Sequence, residues 1–148
     1  MKLEYIYSKV YFRNLNKHSS TNRTWEEVKN IGKNFEKKYT EEINRIIKII
    51  PKITGKPWRE KQTKVYFIDW LGPSFSHPLT LKVRDDLLLM LVILTHELLH
   101  DFYLQDKDIE KVEIKINKQV EKVFEELKID AGDQINTLQN YHNKRFKK

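Results

Sequence analysis

The chain is 148 residues long, contains no cysteine and carries a formal net charge of +7 at neutral pH. That length accommodates one domain with its own core, and the absence of thiols excludes disulfides, thiolate metal sites and cysteine nucleophiles, so any metal must be held by His, Asp or Glu. The 28 Lys and Arg are interspersed with 21 Asp and Glu, which reads as a solvated, charge-laced surface.

The opening stretch, MKLEYIYSKVYFRNL, has neither the continuous apolar region nor the small-residue cleavage site of an export signal. The longest apolar run, Leu87 to Leu94, has eight residues, far below the roughly 20 that cross a bilayer. A soluble, cytoplasmic protein is expected. Residues 3–12, LEYIYSKVYF, alternate as a strand does, or as an arm that docks as one. After a polar stretch at 16–23, Thr24 with Glu27 three residues later marks a helix start in which two orphan amides are satisfied reciprocally. Trp25, Val28, Phe35, Tyr39, Ile43, Ile46 and Ile50 then form one apolar stripe, and Pro51 is expected to end the helix.

The segment 51–58 is punctuated by Pro and Gly as an irregular connection. Val65–Trp70 and Leu79–Val83 read as strands flanking a turn-rich loop at 71–78, and the pair is expected to be antiparallel. From Asp85 to about Tyr103 the chain is helical and apolar nearly all round, which places this helix in the middle of the fold. An amphipathic helix follows over about 108–128. Asp130-Ala-Gly-Asp133 breaks it before a last helix carrying Ile135, Leu138 and Tyr141, and a basic tail ends the chain. The expected class is α+β, with a small antiparallel sheet of two to three strands packed on about four helices.

The central helix carries His96-Glu-Leu-Leu-His100. Residues four apart project from one helical face, so both imidazoles can converge on a single ion. Glu97 sits about 100° around the helix, displaced from the ligand direction but able to reach a water in an open metal position. This is the HExxH arrangement of zinc peptidases: zinc lowers the pKa of a bound water towards roughly 7, and the glutamate acts as general base. Three polar side chains on a core helix would each cost on the order of 1–3 kcal/mol if left without partners. A metal and its water remove that cost.

The next helix offers glutamates for a third ligand. At 100° per residue, Glu113 lies about 40° to 60° from Ile109 and Ile116, at the edge of the apolar stripe, whereas Glu110, Glu121, Glu125 and Glu126 fall towards solvent. Glu113 is therefore the expected ligand. Asn117, one turn on, is placed to accept the other ring N–H of a ligating histidine. Asp106 is the alternative third ligand, at the spacing of a metzincin, although Tyr103 stands where that pattern has a turn-forming glycine.

These residues resemble a gluzincin, a zinc peptidase with HExxH on one helix and a glutamate on the next; Glu113-Ile-Lys-Ile-Asn117 matches its E-x-x-x-D/N pattern. The short spacing and small size are most similar to the soluble minigluzincins, which resemble catalytic domains of HtpX-like and BlaR-like membrane peptidases. The resemblance implies a single metallopeptidase domain over 1–148, with an N-terminal arm at 1–23, a catalytic core at 24–130 and a C-terminal helix and basic tail at 131–148. It further implies one zinc ion, a peptide or unfolded-protein substrate, Leu79–Val83 as the upper rim of the cleft, and a terminal flank able to occlude that cleft. Tyr141, His142 and Arg145 are candidate transition-state donors. Two alternatives stand beside this reading. One is a catalytically silent zinc-binding module that can self-associate. The other is nucleic-acid binding through the basic segments 56–64 and 144–148, which lack a recognition helix.

Overall fold

The computed structural model describes residues 1–16 and 23–146. Most of the polar stretch at 16–23 and the last two residues of the basic tail lie outside the described residues. The N-terminal segment, expected as one strand, is two elements: β1 (Lys2–Ile6) and the helix α1 (Lys9–Asn16). Ser8 divides them. Its Oγ accepts from the backbone N–H of Tyr11 and its carbonyl from that of Phe12, so a hydroxyl cap starts a helix where alternation alone would continue a strand.

Helix α2 (Trp25–Thr54) begins at the capping box of Thr24 and Glu27 and buries Val28, Phe35, Ile43, Ile46 and Ile50. It bends at Tyr39, whose backbone is non-helical, and it runs through Pro51 to a left-handed cap at Gly55, φ 69°. The expected stop at Pro51 is thus displaced by one turn, and the reason is a substitute donor. Pro51 cannot donate to the Ile47 carbonyl, but the indole N–H of Trp58 reaches that oxygen at 2.8 Å. Replacing Trp58 with Phe keeps most of the packing on Phe102, at a ring separation of 4.8 Å, and removes only the donor. A loss of about 1–3 kcal/mol is expected from the denaturant midpoint at constant m value. An unchanged midpoint would show that water replaces the indole.

Strands β2 (Gln62–Ile68), β3 (Phe75–Ser76) and β4 (Leu79–Lys82) join β1 in a four-stranded mixed sheet of order β1-β2-β4-β3. β1 and β2 are parallel, β2 and β4 are parallel, and only β3 and β4 are antiparallel. This corrects the expected antiparallel sheet of two to three strands. The reason lies in the connections: α1 and α2 carry the chain back between β1 and β2, and between β2 and β4 it reverses twice, into β3 and out of it. β2 is consequently central, with Val65, Phe67 and Ile68 fully buried, which explains an apolar run in place of clean alternation. α2 lies so close to this sheet that a side chain on Gly32 would meet the rings of Tyr7 and Phe67 at 2.9–3.0 Å.

Three further helices follow, α3 (Leu87–His100), α4 (Ile109–Leu127) and α5 (Gly132–Phe146). α3 starts at Asp86, whose carboxylate accepts from the Leu89 N–H and from the Gln134 side chain, tying the start of α3 to the start of α5. Met90 to His96 are all buried, and α2, α4, α5 and β4 pack around them. Helix α4 (Ile109–Leu127) buries Val112, Ile116, Val120, Val123 and Leu127, while Ile109, expected in the same stripe, is exposed. Helix α5 (Gly132–Phe146) closes the chain and buries Ile135, Leu138 and His142. The architecture is therefore α+β, with five helices among the described residues. Among the described residues, no helix is long and apolar enough to cross a membrane.

Candidate metal centre

The last two turns of α3 present His96, Glu97 and His100 to a cleft of about 350 Å³. One wall is the loop and strand Pro73–Ser76; the opposite wall is α5. His96 is almost wholly buried, at 1 % exposure, and His100 and Glu97 are partly exposed to the cleft. From α4, Glu113 enters the same space and is buried at 9 % exposure, while Glu110, Glu121, Glu125 and Glu126 all face solvent.

The ligand atoms converge. His96 Nε2 and His100 Nε2 are 3.1 Å apart, His96 Nε2 is 3.2 Å from Glu113 Oε2, and His100 Nε2 is 3.3 Å from Glu113 Oε1. Metal–nitrogen bonds of 2.0–2.1 Å at tetrahedral angles subtend about 3.3–3.4 Å between ligands, so this triangle has the dimensions of three tetrahedral zinc ligands. Glu113 Oε2 is buried and makes no aligned hydrogen bond, although two ring nitrogens lie near it.

A third histidine joins from α5. His142 Nδ1 lies 3.4 Å from Glu113 Oε2, and its ring is 4.6 Å from that of His96. His96, Glu113 and His142 offer ligand atoms all within 4.8 Å of one another, a buried group that could bind a metal ion. His142 was distinguishable in the sequence only as one of three donor candidates. A signal was nevertheless present, because it continues the buried i, i+3, i+7 stripe of Ile135 and Leu138, whereas Tyr141 lies off it.

Electrostatics follow from this crowding. Burial alone would raise the Glu113 carboxyl, but His100 and His96 outweigh it and hold the group well below the ordinary carboxylate range. Burial would lower His100, and Glu113 and Glu97 reverse that to a net rise. Burial pushes the Glu97 carboxyl up against the opposing pull of the imidazoles. Burial, with His96 beside it, pushes His142 down to about 4. Opposite charges beside Glu113 and His100 thus favour their charged forms, whereas burial favours the neutral forms of Glu97 and His142.

Other expected residues fall differently. Asp106 is exposed in the α3–α4 connection, its N–H bound to the Tyr103 carbonyl, and among the described residues it takes no part in the cluster. Tyr141 is half-exposed and Arg145 exposed, both lining the cleft on α5. Asn117 Oδ1 and His96 Nδ1 are both buried without partners, and no hydrogen bond joins them. The strand 79–83, expected as the upper rim, is instead interior: β4 lies between β2 and β3, so the free edge beside the cleft belongs to Phe75–Ser76. The two-residue connection at His77–Pro78 is the cause, since it folds β3 back along the outer side of β4. His77 also ties this rim to the end of α3, through Asp101 Oδ1 at 2.9 Å and Ser76 Oγ at 2.9 Å, a link that sequence periodicity gives no means of finding. In the basic segment 56–64, the Trp58 indole donates to the Ile47 carbonyl and packs on Phe102. No protein-family model, curated protein or solved structure gives a significant match to this chain.

Proposed function

We propose that this chain is a zinc-dependent metallopeptidase of gluzincin type, acting on peptides or unfolded protein. The observation that carries the reading is the 3.1–3.3 Å triangle of His96, His100 and Glu113, with Glu97 beside it in an accessible cleft. His96, His100 and Glu113 would hold the ion. When bound, zinc supplies a Lewis acid and lowers the pKa of a coordinated water. Glu97 takes the proton from the attacking water and delivers it to the leaving amine, and its raised carboxyl pKa brings it nearer to a useful proton-transfer range. Asn117 Oδ1 and His96 Nδ1 are both buried without partners, and Asn117 would be the acceptor for the Nδ1 proton of a metal-bound His96. Tyr141 and Arg145 line the cleft within the set of candidate donors to the developing oxyanion. The direct test is cleavage of an unfolded protein by zinc-loaded enzyme, lost on chelation and recovered on adding zinc. A fully zinc-loaded protein that cleaves no unfolded substrate would overturn the proposal.

One observation favours a second reading. His142 lies at ligand distance from Glu113, so α5 could contribute a fourth protein ligand and close the position that a catalytic water needs, leaving a structural or latent zinc site. Cobalt substitution separates the two. If the site is open, azide perturbs the visible cobalt bands of the wild type, and His142→Ala leaves that response in place. If His142 closes the site, the wild-type bands are indifferent to azide and become responsive in His142→Ala.

A further inference from the structure

Arg84 lies between β4 and the cap of α3, and its side chain forms the partition between two clefts. It lines the metal-centre cleft, and it also lines the neighbouring cleft that contains Arg23, Asp69 and Lys82. Its Nε is buried with no partner, and among the described residues no carboxylate forms an ion pair with its guanidinium. The carboxylates of the neighbouring cleft are otherwise engaged, because Arg23 takes Asp69 at 3.6 Å and Asp85 at 3.0 Å. A guanidinium cannot lose its proton under ordinary conditions, so this half-buried cation keeps its charge with Asp69 acting on it only from beyond ion-pair distance. Such an arrangement is unfavourable in the free protein and is relieved by an anionic ligand.

The cleft holds a second cation. Arg145 lines the cleft from α5, and among the described residues the carboxylates that line it, Glu97 and Glu113, are those assigned above to the candidate metal centre. The chain as a whole carries +7, which raises the encounter rate with acidic partners. We infer that Arg84 receives a carboxylate of the bound substrate, so that the preferred peptide presents either an acidic side chain or a free C-terminus to this end of the cleft. The inference rests on the reading of the cleft as a peptide site. Arginine suits the task because its planar fork engages a carboxylate through two parallel hydrogen bonds.

Binding tests this separately from turnover. Zinc-loaded Glu97→Gln protein, and the same protein with Arg84→Gln or Arg84→Lys added, would be titrated by fluorescence anisotropy with four peptides of one backbone. These have an internal Glu or Gln, each with a free or an amidated C-terminus. The expected result is roughly 10- to 100-fold tighter binding of one carboxylate-bearing form over its neutral counterpart. That ratio should collapse towards one in Arg84→Gln and be partly kept in Arg84→Lys, where the charge remains and the fork is lost. A Glu-over-Gln preference identifies an acidic side chain as the source, and a free-over-amidated preference identifies the C-terminus. Equal binding of all four peptides, or a preference that survives Arg84→Gln, overturns the inference. Equal binding together with zinc-dependent cleavage by the wild type would leave the peptidase proposal standing, whereas a carboxylate preference without cleavage would leave Arg84 its role and remove the peptidase. Should Arg84→Gln fail to bind zinc or to melt cooperatively, Arg84→Lys decides, with an unchanged ratio counting against the inference.

Discussion

Glu97→Gln is expected to reduce peptide hydrolysis by about 10²- to 10⁴-fold while zinc content stays near that of the wild type. The amide has nearly the volume and shape of the carboxylate, so the packing of α3 survives, and Gln can still hydrogen-bond a water. What it loses is the capacity to take a proton and give it back. Glu97 lies outside the triangle of His96, His100 and Glu113, so its replacement removes no ligand. The geometry behind the expectation is one of phase: one residue beyond His96, the side chain is rotated about 100° and enters the cleft beside the ion position without joining it. Steady-state turnover with elemental analysis of the same preparations checks both halves. Turnover within a few-fold of wild type would sink the general-base role.

The second large effect is expected from Glu113→Ala, which should reduce zinc from about one ion per chain to near none and weaken affinity by well over about 100-fold. Loss of an outer hydrogen-bond partner of a metal ligand alone costs about 10- to 100-fold, and Glu113 stands closer than that. It also supplies the anionic charge of the proposed set, since both other members are neutral imidazoles. Glu110→Ala, on the exposed side of the same helix, is the control and should bind zinc normally. Undiminished zinc in Glu113→Ala would overturn the assignment. A further loss on His142→Ala would then move the centre onto the histidines, and one on Asp106→Ala would move it to the α3–α4 connection.

Local rules account for what was legible before any tertiary contact. The capping box at Thr24 and Glu27 is a contact between neighbours in the chain, and the stripe of Val28, Phe35, Ile43 and Ile50 is a matter of helical period, so both could be read directly. His96, Glu97 and His100 share one helix, which fixes their relative directions whatever that helix packs against. Phase also told Glu113 from Glu110, Glu121, Glu125 and Glu126, because a carboxylate at the edge of an apolar stripe faces the interior and the others do not. The same rule erred at Ile109, which is in phase with the stripe but lies at the first turn of α4, where no neighbouring element covers it.

Tertiary structure decided the rest, for a common physical reason: each of these features depends on the distance between elements far apart in sequence, to which periodicity is blind. Alternation in Val65–Ile68 and Leu79–Lys82 marks strands but carries no information about direction; these two run parallel because the chain between them reverses twice, into β3 and out of it. The helix passes Pro51 because Trp58, beyond the turn, happens to reach the carbonyl that proline leaves unpaired. The rim of the cleft is Phe75–Ser76 because a two-residue connection places β3 outside β4. His142 meets Glu113 because α5 packs against α3 and α4. The sequence by itself determined helices α2 to α5, most of their inward faces and the motif on α3, but not α1; only the packing of α4 and α5 against α3 decided which of the remaining polar residues stand within reach of it.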